Sequence, residues 1–188
     1  MPVTTIDPNT ALVVVDLQKG VVAIPAAHPV DQVVKNSAAL ADAFRAHGLP
    51  VVLVTVTGGA PGRTEGARLG DIPAEWCELV PELNRQPGDH DVVKRTWGAF
   101  TGTDLDEYLK GRGVTQVVVV GVATSAGVES TARHAHELGY HVTLAVDAMT
   151  DRSAEAHDNS VTRIFPRLGE TGTTEEITAL LDGGDGDA

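Results

Sequence analysis

Three polar features stand where apolar, strand-like runs stop. Asp16 leaves "ALVVV" (11–15), Lys94 closes "HDVVK" (90–94), and "TQVVVVGV" (115–122) gives way to "ATSAGVES" (123–130), a turn of small residues ahead of a helix. A carboxylate, an ammonium and a helix-opening turn in one place can move a proton and stabilise the charge left behind. Such a turn commonly presents a nucleophile, yet Gly127 stands at its end and offers no side-chain atom. Acid–base chemistry by Asp16 and Lys94 remains open, as does attack by a hydroxyl, Ser125 or Ser130. Each residue also has a plainer reading: a carboxylate bonding loop amides, a lysine reaching solvent, a turn that packs closely. Their joint placement at strand ends is what favours a site.

The elements that must position them follow from hydrophobic pattern. "ALVVVDL" (11–17), "PVVLVTV" (50–56), "TQVVVVGV" (115–122) and "HVTLAV" (141–146), with the shorter "HDVVK" (90–94), are continuous β-branched runs. Continuity rather than alternation indicates strands buried on both faces. Between them, Val30, Val33, Val34, Leu40, Ala41 and Phe44 share one helix face that Gly48 stops, and Val128, Ala132, Ala135 and Leu138 share another that Gly139 stops. Thr103 and Asp106 have the spacing of a capping box for a helix ending at Gly111 or Gly113. Strand–helix alternation predicts right-handed crossovers, hence a three-layer, Rossmann-like, doubly wound parallel α/β sheet with helices on both faces. In such sheets the ligand crevice lies beyond the carboxyl ends of the strands, where Asp16, Lys94 and the 123–128 turn all fall.

Composition bounds the class. The 188 residues, 42% hydrophobic and 21% charged, suit a single domain, read as 1–181, followed by a flexible acidic tail, "DGGDGDA" (182–188). A formal charge of −12 opposes phosphate backbones and anionic lipid surfaces, so neither nucleic acid nor membrane is an expected partner. Cys77 is the one cysteine, which excludes an intramolecular disulfide or a multi-cysteine metal site. The opening "MPVTTIDPNT" lacks the pattern of a signal peptide, so a cytoplasmic location is expected. The seven histidines fall singly and read as surface residues. The Gly- and Pro-rich stretch 57–83 is long for a connection and is expected to sit over the site as a binding segment. Its Arg63 and Arg68 could meet a substrate carboxylate or simply be solvated.

"ALVVVDLQ", "VVKRTWGAF" and "VVVVGVATSAGVESTARHAHELGYHVTLAVDAMTD" resemble, in order over about residues 10–170, the three signature blocks of the isochorismatase-like hydrolases, a superfamily that also holds nicotinamidases and N-carbamoylsarcosine amidase. The resemblance implies the doubly wound fold, a catalytic Asp16 and Lys94, and a cis peptide that maps to Ala123–Thr124. It places the superfamily's cysteine nucleophile on Gly127, which removes the thiol route to amide hydrolysis. The isochorismatases proper resemble this chain in carrying Gly there, and their vinyl-ether hydrolysis needs a proton delivered to carbon rather than a covalent intermediate. The implied activity is therefore hydrolysis of a small anionic or cyclic metabolite, with Asp16 as general acid. The alternatives are a catalytically silent binding or scaffold member and an amidase using a hydroxyl such as Ser125.

Gln18, Trp97 and Phe100 are read as pocket lining, with Thr124, Ser125 and Ala126 contributing the turn. Where nicotinamidases carry a metal site after the second strand, this chain has "TVTGGAPGR", so neither metal nor cofactor is expected. Helices of this apolar character on a sheet of this size lead to an expectation of a homodimer or higher homo-oligomer.

Overall fold

The apolar runs are strands of one parallel sheet in the computed structural model of the protein, which describes residues 2–65 and 72–183. In chain order the elements are β1 (Thr10–Val15), α1 (Lys19–Val22), α2 (Val30–Ala46), β2 (Val51–Val56), α3 (Ala74–Cys77), β3 (His90–Lys94), α4 (Leu105–Gly111), β4 (Gln116–Val122), α5 (Glu129–Glu137), β5 (His141–Thr150), α6 (Ala154–Asn159), β6 (Glu170–Gly172) and α7 (Thr174–Gly183). Among the described residues the sheet has six strands in the order β3-β2-β1-β4-β5-β6, all pairings parallel. The order reverses between β1 and β4, so the crevice of a doubly wound sheet opens at their carboxyl ends.

Burial on both faces explains the unbroken runs. Ala11, Val13 and Val15 of β1 point to a core shared with Leu105 and Leu109 of α4 and Ala132 and Ala135 of α5. Leu12 and Val14 point to the opposite core, shared with Val33, Leu40 and Phe44 of α2 and Ile177 and Leu181 of α7. The expected helix stops at Gly48, Gly113 and Gly139 all lie at positive φ, +67°, +68° and +92°, the left-handed geometry that ends a helix at little steric cost to glycine.

Four local expectations are corrected. Strand β5 does not end at 146 but runs to Thr150, because Asp147, which interrupts the apolar pattern, is held inside the fold: its carboxylate accepts from the Thr174 amide and hydroxyl and from Asn36 Nδ2. Strand β6 and helix α7 had no place in the sequence reading, and α7 continues through Gly183, two residues into the segment read as tail. Thr103 and Asp106 do not form a capping box: Asp104 precedes α4, while the Asp106 carboxylate accepts from Lys110 and from the Tyr140 hydroxyl. The cis peptide is Val122–Ala123, one residue earlier than expected.

Residues 72–83, the C-terminal part of the 57–83 stretch, seat along the chain leaving β1. The Lys19 amide donates to Glu78 O at 2.8 Å and the Val80 amide to Leu17 O at 3.0 Å. The Trp76 indole lies so close over Gly20 that a Cβ there would fall 1.8 Å from the ring. Arg68 lies outside the described residues, and Arg63 is exposed. Among the described residues no helix is long and apolar enough to cross a membrane.

Candidate active site

At the reversal point β1 and β4 approach closely enough that Gly121, at φ +112°, could not carry a side chain; a Cβ would lie 2.0 Å from the Val15 carbonyl oxygen. This proximity sets the first residue beyond β1, Asp16, beside the turn beyond β4. Asp16 itself adopts φ +54°, a left-handed conformation that Asp tolerates better than most residues, and its amide still donates to Val54 O at 3.0 Å. The chain thus turns sharply at Asp16 while staying tied to the sheet.

Lys94 arrives from β3, two strands away, with a side chain that is only 1% exposed. Its Nζ donates to Asp16 Oδ2 at 2.7 Å and to Thr96 O at 3.1 Å. The other carboxylate oxygen, Asp16 Oδ1, is buried with no hydrogen-bond partner among the described residues. Burial penalises the charged form and lifts the Asp16 carboxyl from 3.8 to about 6, against the opposing pull of the Lys94 charge and hydrogen bond. A carboxyl at that level holds its proton over part of the neutral range, as a general acid must.

The turn Thr124–Val128 is a single π-helical turn that leads into α5, with Thr124 and Gly127 buried. An ideal Cβ on Gly127 would stand 3.2 Å from Asp16 Oδ2 and 2.9 Å from Val15 Cγ1. The position read as that of a missing nucleophile therefore lies directly against the Asp16 carboxylate. Ser125, the alternative nucleophile, gives its hydroxyl hydrogen to Asp151 Oδ2 at 2.8 Å, and the same oxygen accepts the Ser125 amide at 2.8 Å. These and neighbouring amide bonds hold the Asp151 carboxyl below the usual carboxylate range despite its burial, which makes it a weak base for activating that hydroxyl. No side-chain bond of Ala126 bears on the site, and its amide donates to Ala123 O.

The proposed lining residues separate. Gln18 is fully buried, and its amide bonds backbone on two sides: Oε1 accepts the Val56 amide at 2.7 Å, while Nε2 donates to Val56 O and Cys77 O. It clamps β2 and the α3 segment to the chain leaving β1. Phe100 is 6% exposed and packs in the α4–α5 core between His134 and Tyr140. Trp97 is 69% exposed on the loop that follows Lys94. Cys77 is partly buried at the end of α3, with its carbonyl engaged by Gln18. Among the described residues no group of three or more His, Cys, Asp or Glu side chains is arranged to hold a metal ion.

Sequence reasoning missed three residues that hold the turn in place. Thr131 Oγ1 donates to Gly127 O at 2.7 Å and accepts the Ala99 amide at 3.1 Å, linking the turn to the loop after Lys94. Asp151 anchors Ser125, and His157, read as a surface residue, is buried with Nδ1 2.8 Å from the Thr124 hydroxyl. Asp151 follows the rule already applied to Asp16, a carboxylate just past a strand; ending β5 at 146 hid it.

The isochorismatase domain signature matches residues 10–176. The chain is 47% identical over 180 residues to the isochorismatase family protein YwoC of Bacillus subtilis, covering 90% of this chain and 92% of that protein. It is 41% identical over 181 residues to the isochorismatase family protein YecD of Escherichia coli O157:H7, covering 92% and 96%. The solved structure of an isochorismatase family protein from Burkholderia thailandensis superposes with a TM-score of 0.91 at 41% identity, over 95% of this chain and 98% of that one. The chain belongs to the isochorismatase family.

Proposed function

We propose that the protein hydrolyses a small enol ether, with Asp16 as general acid and no covalent enzyme intermediate. The observation that carries this reading is the buried Asp16 carboxyl, whose Oδ1 has no hydrogen-bond partner among the described residues and whose Oδ2 faces the Gly127 position, where a thiol nucleophile is absent; burial raises its pKa to about 6. A proton passes from Asp16 to the terminal alkene carbon, the C=C π pair forms the new C–H bond, and the ether carbon becomes an oxocarbenium ion. Water adds to that carbon and returns a proton to the Asp16 carboxylate. The resulting hemiketal breaks its C–O bond to give an alcohol and a ketone. Lys94, 2.7 Å from Oδ2, stabilises the carboxylate between the two proton transfers.

Catalytic roles thus fall to Asp16 and Lys94, with Gly127 leaving room at the carboxylate; Thr124, Ser125 and Ala126 form the substrate-facing turn and Trp97 an outer wall. Isochorismate, nicotinamide and N-carbamoylsarcosine, offered separately with products followed by mass, test the reading. Turnover of isochorismate in deuterium oxide should place one deuterium in the methyl group of the ketone product. Hydrolysis of only the amides would favour a hydroxyl nucleophile, and turnover of none a binding role.

A further inference from the structure

Two histidines bond the chain around the start of the turn, and the proposed chemistry uses neither. His157, from α6, has its Nδ1 2.8 Å from Thr124 Oγ1. His28, from the loop before α2, has its Nδ1 3.1 Å from Thr150 Oγ1, and its backbone amide donates to the same hydroxyl oxygen. The two rings pack at 4.5 Å between centroids. Thr150 pairs with Val122 across the sheet, and Thr124 lies two residues beyond it, so the histidines grip the chain on both sides of the start of the turn.

We infer that His157 is a positioning residue of the site, fixing Thr124 and with it the turn 124–128 through Nδ1, while His28 packs against its ring. The inference rests on that turn being part of the reacting site. Thr124 is fully buried, and its hydroxyl has His157 as its hydrogen-bond partner among the described residues. A buried hydroxyl needs somewhere to send its hydrogen. Nδ1 must therefore accept, which places the imidazole proton on Nε2. An imidazolium could only donate at Nδ1, and the Thr124 hydrogen would lose its acceptor; the grip exists only in the neutral form.

The surroundings favour that form on balance. Burial and the neighbouring His28 push the His157 imidazole below its ordinary value, outweighing Asp158 on its own helix and Asp151 at the end of β5. Asp147, which lines the same cleft, is committed to Thr174 and Asn36. The unfolded chain thus takes up its proton first as pH falls, so the contribution of His157 is present at neutral pH and lost in acid.

Hydrogen exchange of the segment 122–129, corrected for the intrinsic rate and read between pH 5 and 8, tests this without any substrate. In the wild type, protection should fall at least tenfold toward pH 5 while β1 and the rest of β4 stay protected. His157→Asn, whose amide oxygen can accept from Thr124 but does not titrate, should keep the neutral-pH protection throughout. His157→Leu should lose tenfold at every pH, and if that variant fails to fold, Thr124→Val removes the same bond from the other side. With isochorismate as probe, the Leu variant should lower kcat more than tenfold with KM within about threefold, and the Asn variant should restore it. Wild-type protection in His157→Leu or Thr124→Val, or acid loosening that persists in His157→Asn, would overturn the inference. Absence of isochorismate turnover would count against the proposed reaction and leave the exchange result standing.

Discussion

Lys94 Nζ and Asp16 Oδ2 meet at 2.7 Å in a space where the side chains are 1% and 10% exposed. Lys94 lowers the Asp16 carboxyl and burial raises it, and burial is the larger influence. Desolvation of a buried ion pair cancels much of its attraction, so the pair is weak evidence for stability, and the proposed reaction gives it a role in proton transfer instead.

Replacing Lys94 by Met removes the opposing pull, so the Asp16 carboxyl should rise further above about 6. Carbon-13 titration of that carboxyl should show the rise. Unfolding in denaturant at pH 8 should show a loss of about 3–5 kcal/mol, the usual cost of leaving one member of a buried pair alone. The loss should shrink toward pH 5, where Asp16 can take up a proton.

Gly127→Ala should destabilise the fold by about 1–3 kcal/mol, because the new Cβ would lie 2.9 Å from Val15 Cγ1 in a filled core. The added methyl would also stand 3.2 Å from Asp16 Oδ2 and should depress turnover. Val15→Ala in the same chain should recover part of the stability. Thermal melts of Gly127→Ala, Val15→Ala and the double variant check the coupling.

Any hydrolytic activity should survive iodoacetamide. The one thiol, Cys77, lies at the end of α3, where its residue is tied to Gln18 through the backbone carbonyl rather than through sulfur. Cys77→Ser should match the wild type in turnover, and loss of activity in both alkylated and Ser-substituted protein would place sulfur in the chemistry.

Much of this arrangement is legible in the sequence. Strands buried on both faces announce themselves as unbroken Val and Leu, and polar residues at their ends fall at one sheet edge by topology; Asp16, Lys94 and the 123–128 turn follow from that alone. What was not legible depends on tertiary partners. Asp147 looks like a strand end until Thr174 and Asn36 are seen to satisfy it. Gln18 reads as a pocket residue from its place near Asp16, but two peptide groups of other segments claim its amide. Strand β6, three residues of "ETG", carries no hydrophobic signal and exists through its pairing with β5.

Gln18→Leu should leave the Val56 and Cys77 peptide groups without their partners, at about 1–3 kcal/mol for each buried group. The α3 segment should then detach first. Limited proteolysis near residues 72–83 should accelerate in the variant well before global unfolding.

The most direct measurement is the pH dependence of kcat/KM for enol-ether hydrolysis in the wild type and in Asp16→Asn. With a carboxyl near 6 as the proton donor, the wild-type rate should fall about tenfold per pH unit above that value as the proton is lost. The Asn side chain keeps the size but has no proton to give, so kcat should drop roughly 10²–10⁴-fold with KM little changed and the fall above pH 6 abolished. Full turnover by Asp16→Asn, or a wild-type rate that rises with pH through this range, would contradict the assignment of Asp16 as the general acid.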